Sequence, residues 1–318
     1  MRAAYLVEPD ADRPAEAIRV GDLDPAPAPD GWVEVDVRAG ALNMHDIWTL
    51  RGANKGTGTR PHVIGSDAAG VAGDRDVIVY PVVPRKPDGR IVEHAVLLPD
   101  AGHGVLAERI AVPPGHLVAK PGHLSWSEAA ALPTAWLTAY RMLFTKARLE
   151  PGHVVLVQGA GGGVATAAIG LAAAAGATVV VTSRSPGKRE RALALGATAA
   201  IGSGERVPQL ADVVVETVGP ATFEHSTRST RAGGTIVVCG GTSGFAAQLD
   251  LARLFAREIS VHGSTMGTLA EFEALVAFVA AHRIRPAVDS TADLADVRAQ
   301  AARMLAGEAF GKLCVSLS

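Results

Sequence analysis

The stretch from 153 to 184 constrains the fold more than any other, because it has the pattern of a strand, a glycine-rich turn, a helix and a second strand. Apolar and mostly β-branched residues predict buried strands over 153–158 and 177–182. Between them lie the glycine-rich residues 159–163 and an alanine-rich run, 164–175, whose composition favours helix. A strand–turn–helix–strand unit of this kind predicts an α/β domain with a parallel sheet.

The glycine-rich turn indicates a binding site for the pyrophosphate of a dinucleotide. A turn that opens a helix presents backbone N–H groups and the positive end of the helix dipole to an anion. Gly159, Gly162 and Ala165 have the key spacing, with Ala165 at a position where glycine is commoner. Glycine also serves ordinary tight turns, but the position between a predicted strand and helix favours the dinucleotide. The predicted contacts are Gly159, Gly161, Gly162, Gly163 and Val164.

The residues after the second strand favour NADPH over NADH. An NAD site commonly has Asp or Glu at this point, which accepts hydrogen bonds from the ribose. Here no carboxylate stands before Glu190. Ser183, Arg184 and Lys188 instead offer hydroxyl and cationic groups to a 2′-phosphate. The alternative is a solvated basic turn at the start of the next helix.

The composition excludes several classes of protein. Hydrophobic residues make up 48% of the 318 residues and charged residues 19%, which suits packed cores rather than a disordered chain. The formal net charge of −2 predicts no capture of nucleic acid or of an anionic membrane. Two cysteines, Cys239 and Cys314, are too few for a disulfide framework or a cysteine-rich zinc site. The polar N-terminus and the interrupted apolar stretches predict a soluble, cytoplasmic protein.

The chain has regions with different patterns. Residues 1–118 contain short β-type runs between loops rich in Pro, Gly and Asp, which predict a compact, mostly antiparallel β domain. Residues 119–285 alternate helices and strands, beginning with a helix for which Ser125 and Glu128 form a capping box. The last segment, 286–318, is predicted to return to the first domain. The predicted fold class is α/β, with a β domain and a doubly wound parallel-sheet domain.

Specific motifs follow one another along the chain in a characteristic order. They are NMHDIWTLRG (43–52), HVIGSDAAG (62–70), EAAALPTAWLTAY (128–140), the glycine-rich turn, HGSTMGTLAEF (262–272) and FGKLCV (310–315). Together they resemble the medium-chain dehydrogenase/reductase superfamily, in its zinc-free, quinone oxidoreductase-like branch. The resemblance implies a GroES-like catalytic domain, 1–118 completed by 286–318, and a Rossmann NADPH-binding domain, 119–285. It also implies a cleft in which hydride passes from the cofactor to a small-molecule substrate.

The same resemblance allows a test for zinc. Zinc-dependent members have Cys where this chain has Asn43, His where it has Ser66, and Cys or Asp near Thr134. Zinc needs about three protein ligands drawn from imidazole, thiolate or carboxylate, and these residues do not supply them. No metal site is therefore expected. The alternative is an accidental site built from four other side chains: His45, Asp46, Asp67 and His94.

The lack of a metal limits the reaction. Without a Lewis acid nothing stabilises the alkoxide that develops from an unactivated alcohol. A conjugated double bond is easier to reduce, because its carbonyl spreads the charge as an enolate. The resemblance implies NADPH-dependent, zinc-independent reduction of a quinone or an α,β-unsaturated carbonyl compound. One alternative is a specialised biosynthetic reductase that reduces, or reductively cyclises, a larger unsaturated intermediate. Another is a non-catalytic relative that binds NADPH.

The resemblance also implies residues with catalytic roles. The amide of Asn43 is a candidate to bond the nicotinamide ribose or the substrate carbonyl. His45 falls where zinc-dependent relatives have the hydroxyl of their proton relay, so it is a candidate proton donor to an enolate. A structural histidine bonded to a backbone carbonyl is the alternative. Thr134 faces the cleft if the resemblance holds.

The segments expected beside the nicotinamide half of the cofactor are Gly240, Gly241 and Thr242, and then Ser264, Thr265 and Met266. In relatives, the segment that corresponds to 264–266 borders the carboxamide of the nicotinamide and the dimer contact. Such relatives join their Rossmann sheets edge to edge, so a homodimer through the strand 259–264 is expected.

One departure argues against a standard enoyl-thioester reductase. Enzymes of that kind in this superfamily place a proton-donating Tyr near the position of Asn54. This chain has no tyrosine between Tyr5 and Tyr80.

Overall fold

The computed structural model describes residues 1–24, 28–53, 61–83 and 96–317, so Asn54 and His94 lie outside the described residues. These residues divide into two compact units. Unit 1 comprises Met1–Ala135 and Thr268–Ser318, and unit 2 comprises Trp136–Gly267. The domain boundaries drawn from the sequence, at 118/119 and 285/286, differ from these, and the assignment of roles to the domains stays a prediction.

Short strands and helices follow one another along the chain. The strands are β1 (Arg2–Leu6), β2 (Ile18–Asp22), β3 (Val33–Ala41), β4 (His62–Val63), β5 (Asp67–Ala72), β6 (Arg75–Val79), β7 (Val82–Val83), β8 (Val96–Leu97), β9 (Arg109–Val112), β10 (Leu117–Ala119), β11 (Val154–Val157), β12 (Thr178–Thr182), β13 (Ala199–Ile201), β14 (Ala211–Glu216), β15 (Thr230–Val238), β16 (Ser260–Gly263), β17 (Val288–Asp293) and β18 (Lys312–Ser316). The α-helices are α1 (Met44–Leu50), α2 (Trp126–Ala130), α3 (Leu137–Tyr140), α4 (Gly163–Ala174), α5 (Pro186–Ala194), α6 (Pro220–Ser229), α7 (Leu251–Ala256), α8 (Leu269–Ala281) and α9 (Val297–Leu305). Within the described residues, none of these helices combines the length and the apolar character that crossing a bilayer requires.

Other helical turns are tighter or wider than the α-helix. The 3₁₀ turns are Pro14–Ala17, Pro99–Ala101, Pro114–His116 and Leu294–Asp296. Wider, π-helical turns lie at Leu132–Trp136 and Arg141–Lys146, on either side of α3. Pro133, which has no N–H group to donate within a helix, lies in the first of these turns. The predicted capping box at the start of α2 is confirmed by hydrogen bonds in both directions between Ser125 and Glu128.

Unit 1 is built on largely antiparallel sheet. One sheet has the strand order β10-β6-β5-β3-β18-β17, with β9 paired to β3, and another has the order β2-β1-β4. The strand near the chain's end, β18, pairs antiparallel with β3, so that Cys314 lies opposite Ala41. Apolar side chains from distant parts of the sequence, including Leu6, Ile47 and Val315, form its core. This pairing brings Lys312, at the start of β18, to the residues that follow β3.

Unit 2 has the strand order β13-β12-β11-β14-β15-β16, and every pairing is parallel. With β11 counted first, this is the order 3-2-1-4-5-6 of a doubly wound dinucleotide-binding sheet. The central strand β11 is buried along its whole length, as expected of a parallel strand covered on both faces. The predicted α/β fold with a Rossmann sheet is confirmed.

A buried polar network holds the carboxyl ends of β11, β12 and β14. Thr182 Oγ1 donates to Gln158 Oε1 at 2.7 Å and accepts from the N–H of Gly159 at 3.1 Å. Glu216, fully buried at the end of β14, accepts from Ser226 Oγ at 2.5 Å, from a threonine hydroxyl and from two backbone N–H groups. These bonds fix the glycine-rich turn at the edge of the sheet where ligands bind in doubly wound folds.

The residue before Lys312 has a backbone that only glycine tolerates. Gly311 has φ +100°, and an added Cβ would lie 2.1 Å from the carbonyl oxygen of Ala287. Gly307 also has a positive φ, +67°, but a Cβ there would meet open space. The two glycines therefore separate the effect of backbone strain from the effect of a steric clash.

We expect Gly311→Ala to lower the free energy of unfolding by about 3 kcal/mol or more, because strain and clash act together. The matched variant Gly307→Ala carries only the strain and should lose about 1 kcal/mol. Urea unfolding of both variants measures the difference. Equal losses would show that the contact with Ala287 has no energetic weight.

Candidate active site and cofactor site

Three residues that stand where zinc-dependent relatives have zinc ligands lie close together in unit 1: Asn43, Ser66 and Thr134. Asn43 lies between β3 and α1, Ser66 immediately before β5, and Thr134 in a π-helical turn. Asn43 Nδ2 donates to Ser66 Oγ at 3.3 Å, and Ser66 Oγ lies 3.1 Å from Thr134 Oγ1. Asn43 and Ser66 are buried, whereas Thr134 is partly exposed. Two of the predicted catalytic residues, Asn43 and Thr134, are thus joined through Ser66.

A buried lysine completes this cluster. Lys312 is only 2% exposed. Its Nζ donates to Asn43 Oδ1 at 2.5 Å, to the carbonyl oxygen of Leu42 at 2.7 Å and to Asp67 Oδ2 at 2.9 Å. Because an ammonium has three N–H donors and no acceptor, these bonds use its full capacity. Asp67 is fully buried, so the ion pair is shielded from water.

The cluster does not fit zinc. Zinc is bound by imidazole, thiolate or carboxylate, whereas the three residues at the zinc-ligand positions, Asn43, Ser66 and Thr134, offer one amide and two hydroxyl groups. The oxygen of that amide is already bound by the ammonium of Lys312, whose charge repels a cation. Across residues 1–24, 28–53, 61–83 and 96–317, no three His, Cys, Asp or Glu side chains form a group suited to a metal ion. The lack of zinc stays a prediction, and no step of the reaction is assigned to a metal.

His45 forms an ion pair beside the cluster. Its Nε2 lies 3.0 Å from Asp100 Oδ2, which belongs to the 3₁₀ turn Pro99–Ala101. Burial lowers the pKa of His45, but the hydrogen bond and charge of Asp100, with the charges of Asp46 and Asp67, raise it above its ordinary value. His45 therefore holds its proton to a higher pH than an ordinary histidine, as a proton donor requires.

Asp46 has a structural contact in the same region. Its Oδ2 accepts a hydrogen bond from the backbone N–H of Asn43 at 2.7 Å, which fixes the first turn of α1. Burial raises the pKa of Asp46 to about 6, against the opposing charge of His45 and the hydrogen bond from Asn43. Asp46 therefore caps the start of α1.

The glycine-rich turn lies at the carboxyl edge of the sheet of unit 2. Gly159 and Gly161 have φ values of +78° and +121°, which favour glycine. The N–H of Gly159 already donates to Thr182 Oγ1, so this residue shapes the turn. Gly162 is exposed, and α4 starts at the next residue, Gly163. The first N–H groups of a helix have no carbonyl partner within it, so Gly163 and Val164 present donors for an anion.

The predicted 2′-phosphate site follows β12. Ser183 is buried, and its hydroxyl accepts a hydrogen bond from the N–H of Ser185 at 3.2 Å. Ser185 caps α5 by accepting from the N–H of Lys188 at 3.3 Å. Arg189 donates to the carbonyl oxygen of Ser183 at 2.8 Å and so braces the loop. Arg184 is exposed and Lys188 is partly exposed, so Arg184 is the more accessible of the two predicted cations.

A groove of about 790 Å³ lies within unit 2, at the carboxyl ends of β15 and β16. Its lining includes Gly240, Gly241, Ser264 and Thr265, four of the residues predicted beside the nicotinamide half. Ser264 Oγ is buried and has no hydrogen-bond partner in the described part of the chain. A bound ligand can supply that partner, so the groove suits a polar group such as a carboxamide.

The other two residues predicted there lie outside the lining. The backbone N–H of Thr242 donates to the carbonyl oxygen of Thr217 at 3.3 Å. Met266 is buried, has a strained φ of +44°, and accepts a hydrogen bond at Sδ from Thr138 Oγ1 at 3.7 Å. These contacts place both residues in the framework of the groove. The groove also contains cations that the sequence did not single out, Arg141 and Lys146.

Sequence reasoning missed two charged residues of unit 1. Lys312 had a signal, since it is the one charged residue in the apolar run FGKLCV, and a buried lysine needs partners. Asp100 had none, because it stands 55 residues from His45 in an irregular region.

The doubly wound parallel sheet, with a groove at the carboxyl ends of its strands, is the fold of a dinucleotide-binding protein. A family described as "Zinc-binding dehydrogenase" matches residues 163–281. The chain is 30% identical to crotonyl-CoA reductase of Streptomyces collinus over 342 aligned positions, which cover 86% of this chain and 76% of that protein. The chain therefore belongs to the medium-chain dehydrogenase/reductase superfamily and is an oxidoreductase. The family and the enzyme class predicted from the motifs are confirmed.

Solved structures share the fold over nearly the whole chain. An NAD-dependent alcohol dehydrogenase has a TM-score of 0.92 and 30% identity, with 100% of both chains covered. A 2-octenoyl-CoA carboxylase reductase, in complex with NADP and 2-octenoyl-CoA, has a TM-score of 0.89 and 26% identity, with 99% of this chain and 87% of that chain covered. The first of these is similar in fold although its description names a different cofactor and reaction. The second agrees with the predicted phosphorylated cofactor.

Arg184 is the residue on which the predicted cofactor preference depends most directly. We expect Arg184→Ala to weaken NADPH binding roughly 10-fold and to leave NADH binding nearly unchanged, because only NADPH carries the 2′-phosphate. Fluorescence titration with each cofactor measures the two dissociation constants. The matched control is Arg191→Ala, which removes another exposed cation from α5. An equal loss for both cofactors would place the 2′-phosphate elsewhere.

Proposed function

We propose that this chain is an NADPH-dependent reductase of an α,β-unsaturated carbonyl compound, with an unsaturated acyl thioester as the favoured substrate. The observation that carries the proposal is the cluster of neutral donors, Asn43, Ser66 and Thr134, at the positions that resemble zinc-ligand positions. The relatives named for crotonyl-CoA and 2-octenoyl-CoA support the thioester. They favour the specialised biosynthetic reductase over the quinone reductase, and they weigh against the inference drawn from the missing tyrosine.

The cofactor would be held by residues of unit 2. NADPH supplies the hydride when it is bound. The donors at the start of α4, on Gly163 and Val164, suit the pyrophosphate, and Arg184 suits the 2′-phosphate. The groove beside Gly240 and Ser264 suits the nicotinamide half. The solved relative that contains NADP supports the same assignment.

The substrate would be activated by neutral hydrogen-bond donors of unit 1. Addition of hydride to the β-carbon of an enoyl group moves an electron pair to the carbonyl oxygen, which becomes an enolate oxygen. Asn43 Nδ2 is a donor suited to that oxygen, since its own carbonyl oxygen is bound to Lys312. An enolate spreads its charge, so a neutral donor suffices where an alkoxide needs a metal.

The second half of the reaction needs a proton at the α-carbon. His45 is the group proposed to deliver it, as an imidazolium held by Asp100. Because the sequence has no tyrosine between Tyr5 and Tyr80, a different donor from that of standard enoyl-thioester reductases is required. Hydride from the cofactor and this proton together saturate the double bond.

We also propose that the chain forms a homodimer through β16. This strand is at the edge of the sheet of unit 2, and all of its residues are exposed. Phe245 and Phe255 of the same unit are exposed large apolar side chains. Light scattering after size exclusion measures the mass, and a monomer at micromolar concentration would count against the pairing.

The proposed function is tested by NADPH oxidation at 340 nm with crotonyl-CoA, 2-octenoyl-CoA, a simple cyclic enone and a benzoquinone. We expect the thioesters to be reduced with the highest kcat/KM, and mass spectrometry to show the saturated acyl product. Reduction of the quinone alone would overturn the substrate class. Binding of NADPH without oxidation by any compound would identify a non-catalytic relative.

The proposed proton donor has its own pH signature. Because the protonated form of His45 is the active one, kcat should fall as the pH rises through its pKa. Asp100→Asn removes a charge that raises this pKa, so the fall should move to lower pH. The control is Asp36→Asn, which neutralises an exposed aspartate of unit 1. An unshifted profile in Asp100→Asn would rule out His45 as the donor.

A further inference from the structure

Lys312 is a buried charge whose contacts go beyond its ion pair with Asp67. An ion pair with Asp67 is sufficient to neutralise it. Yet two of its N–H groups point elsewhere, one to the carbonyl oxygen of Leu42 and one to Asn43 Oδ1. The bond to Asn43 is the shortest of the three, at 2.5 Å. A buried ammonium needs three acceptors, and here one of them is a side-chain amide oxygen, whose orientation this bond fixes.

The ammonium determines which end of the Asn43 amide faces which neighbour. An amide has an acceptor oxygen and a donor nitrogen of nearly equal size, so its orientation is set by its hydrogen bonds. A neighbour that can only donate must face the oxygen. Lys312 is such a neighbour, so Nδ2 of Asn43 is directed to the opposite side, where it donates to Ser66 Oγ at 3.3 Å. The second N–H of that nitrogen remains a donor on the same side.

The backbone supports this arrangement. The N–H of Lys312 donates to the carbonyl oxygen of Ala287 at 2.8 Å, immediately after the constrained residue Gly311. The pairing of β18 with β3 places the lysine beside Leu42 and Asn43, where the chain leaves β3. The side chain of Lys312 therefore approaches Asn43 from a fixed strand and not from a loop.

We propose that Lys312 is a positioning residue, which holds the Asn43 amide so that its NH2 group, and not its carbonyl oxygen, is offered to the substrate oxygen. The inference rests on the proposed function, because it concerns the same developing enolate. The ammonium also polarises the amide, since a charged donor on the oxygen strengthens the N–H groups as donors. If Asn43 were free to flip, the enolate oxygen would meet another oxygen in part of the molecules.

The main variant must not leave a buried charge unpaired, because that alone destabilises the fold. It is therefore the double substitution Lys312→Met and Asp67→Asn, which removes both charges. The control is Asp67→Asn alone, which keeps the ammonium beside Asn43; because its charge then lacks the carboxylate, urea unfolding of every variant accompanies the kinetics to show that each protein is folded. A rescue variant, Lys312→Gln with Asp67→Asn, returns an uncharged N–H donor. Each is combined with Asn43→Ala to complete a double-mutant cycle.

We expect the double variant Lys312→Met, Asp67→Asn (the Met/Asn variant) to lose at least 10-fold in kcat for the unsaturated thioester. Its KM for NADPH should stay within twofold of the wild-type value. The control should lose less than threefold, and the Gln/Asn variant should recover most of the difference. Adding Asn43→Ala to the Met/Asn variant should cause no further loss. Losses that multiply, or an unchanged kcat in the Met/Asn variant, would overturn the proposal.

A second measurement separates this proposal from the proposed function. The side-chain amide resonance of Asn43 in a ¹⁵N–¹H spectrum reports its hydrogen bonds without turnover. It should move between the Asp67→Asn control and the Met/Asn variant, and move back in part in the Gln/Asn variant. If the wild type reduces no thioester but the variants show these shifts, only the proposed function is contradicted. If the wild type is active and the Asn43 resonance is the same in all the variants, only the Lys312 proposal is contradicted.

Discussion

Burying an ammonium ion is the constraint on which unit 1 depends most. The desolvation of Lys312 and Asp67 costs several kcal/mol for each ion, and only close pairing and full hydrogen bonding offset it. The ammonium meets this requirement with its three bonds, which join the strand near the end of the chain to the end of β3 and the start of β5. A shift of β18 by one residue would turn the lysine to the other face and leave Asp67 alone. The ion pair therefore specifies a register as well as a site.

The two units provide binding groups of different kinds. In unit 2 the groups that suit an anion are backbone N–H groups at the start of α4, held in place by the network around Thr182 and Glu216. Such groups depend on the order of strands and on the conformation of a turn. In unit 1 the groups are side chains, and their orientation depends on hydrogen bonds among residues far apart in sequence. This difference explains what the sequence could and could not predict.

Local patterns were sufficient for most of unit 2. The bounds of β11, α4 and β12 each lie within one residue of the predicted ones, because apolar runs and glycine positions are local signals. The first part of β15 contains Gly233 and Gly234, which have low strand preference, so no local pattern marks its start at Thr230. The contacts of Lys312 span 245 residues to Asp67 and 269 to Asn43, distances over which no pattern in a single sequence operates.

The charge balance of the cluster connects its structure with the proposed chemistry. A zinc site brings a net positive charge to the substrate oxygen, which suits an alkoxide. Here the positive charge of Lys312 is compensated by Asp67, and Asn43 stands between the ammonium and Ser66. The substrate oxygen would therefore meet a polarised but neutral donor. Such a donor discriminates by the stability of the anion that forms, since a delocalised enolate needs less compensation than an alkoxide. The preference for a conjugated carbonyl therefore follows from the Asn43 amide, which separates the ammonium of Lys312 from the substrate oxygen.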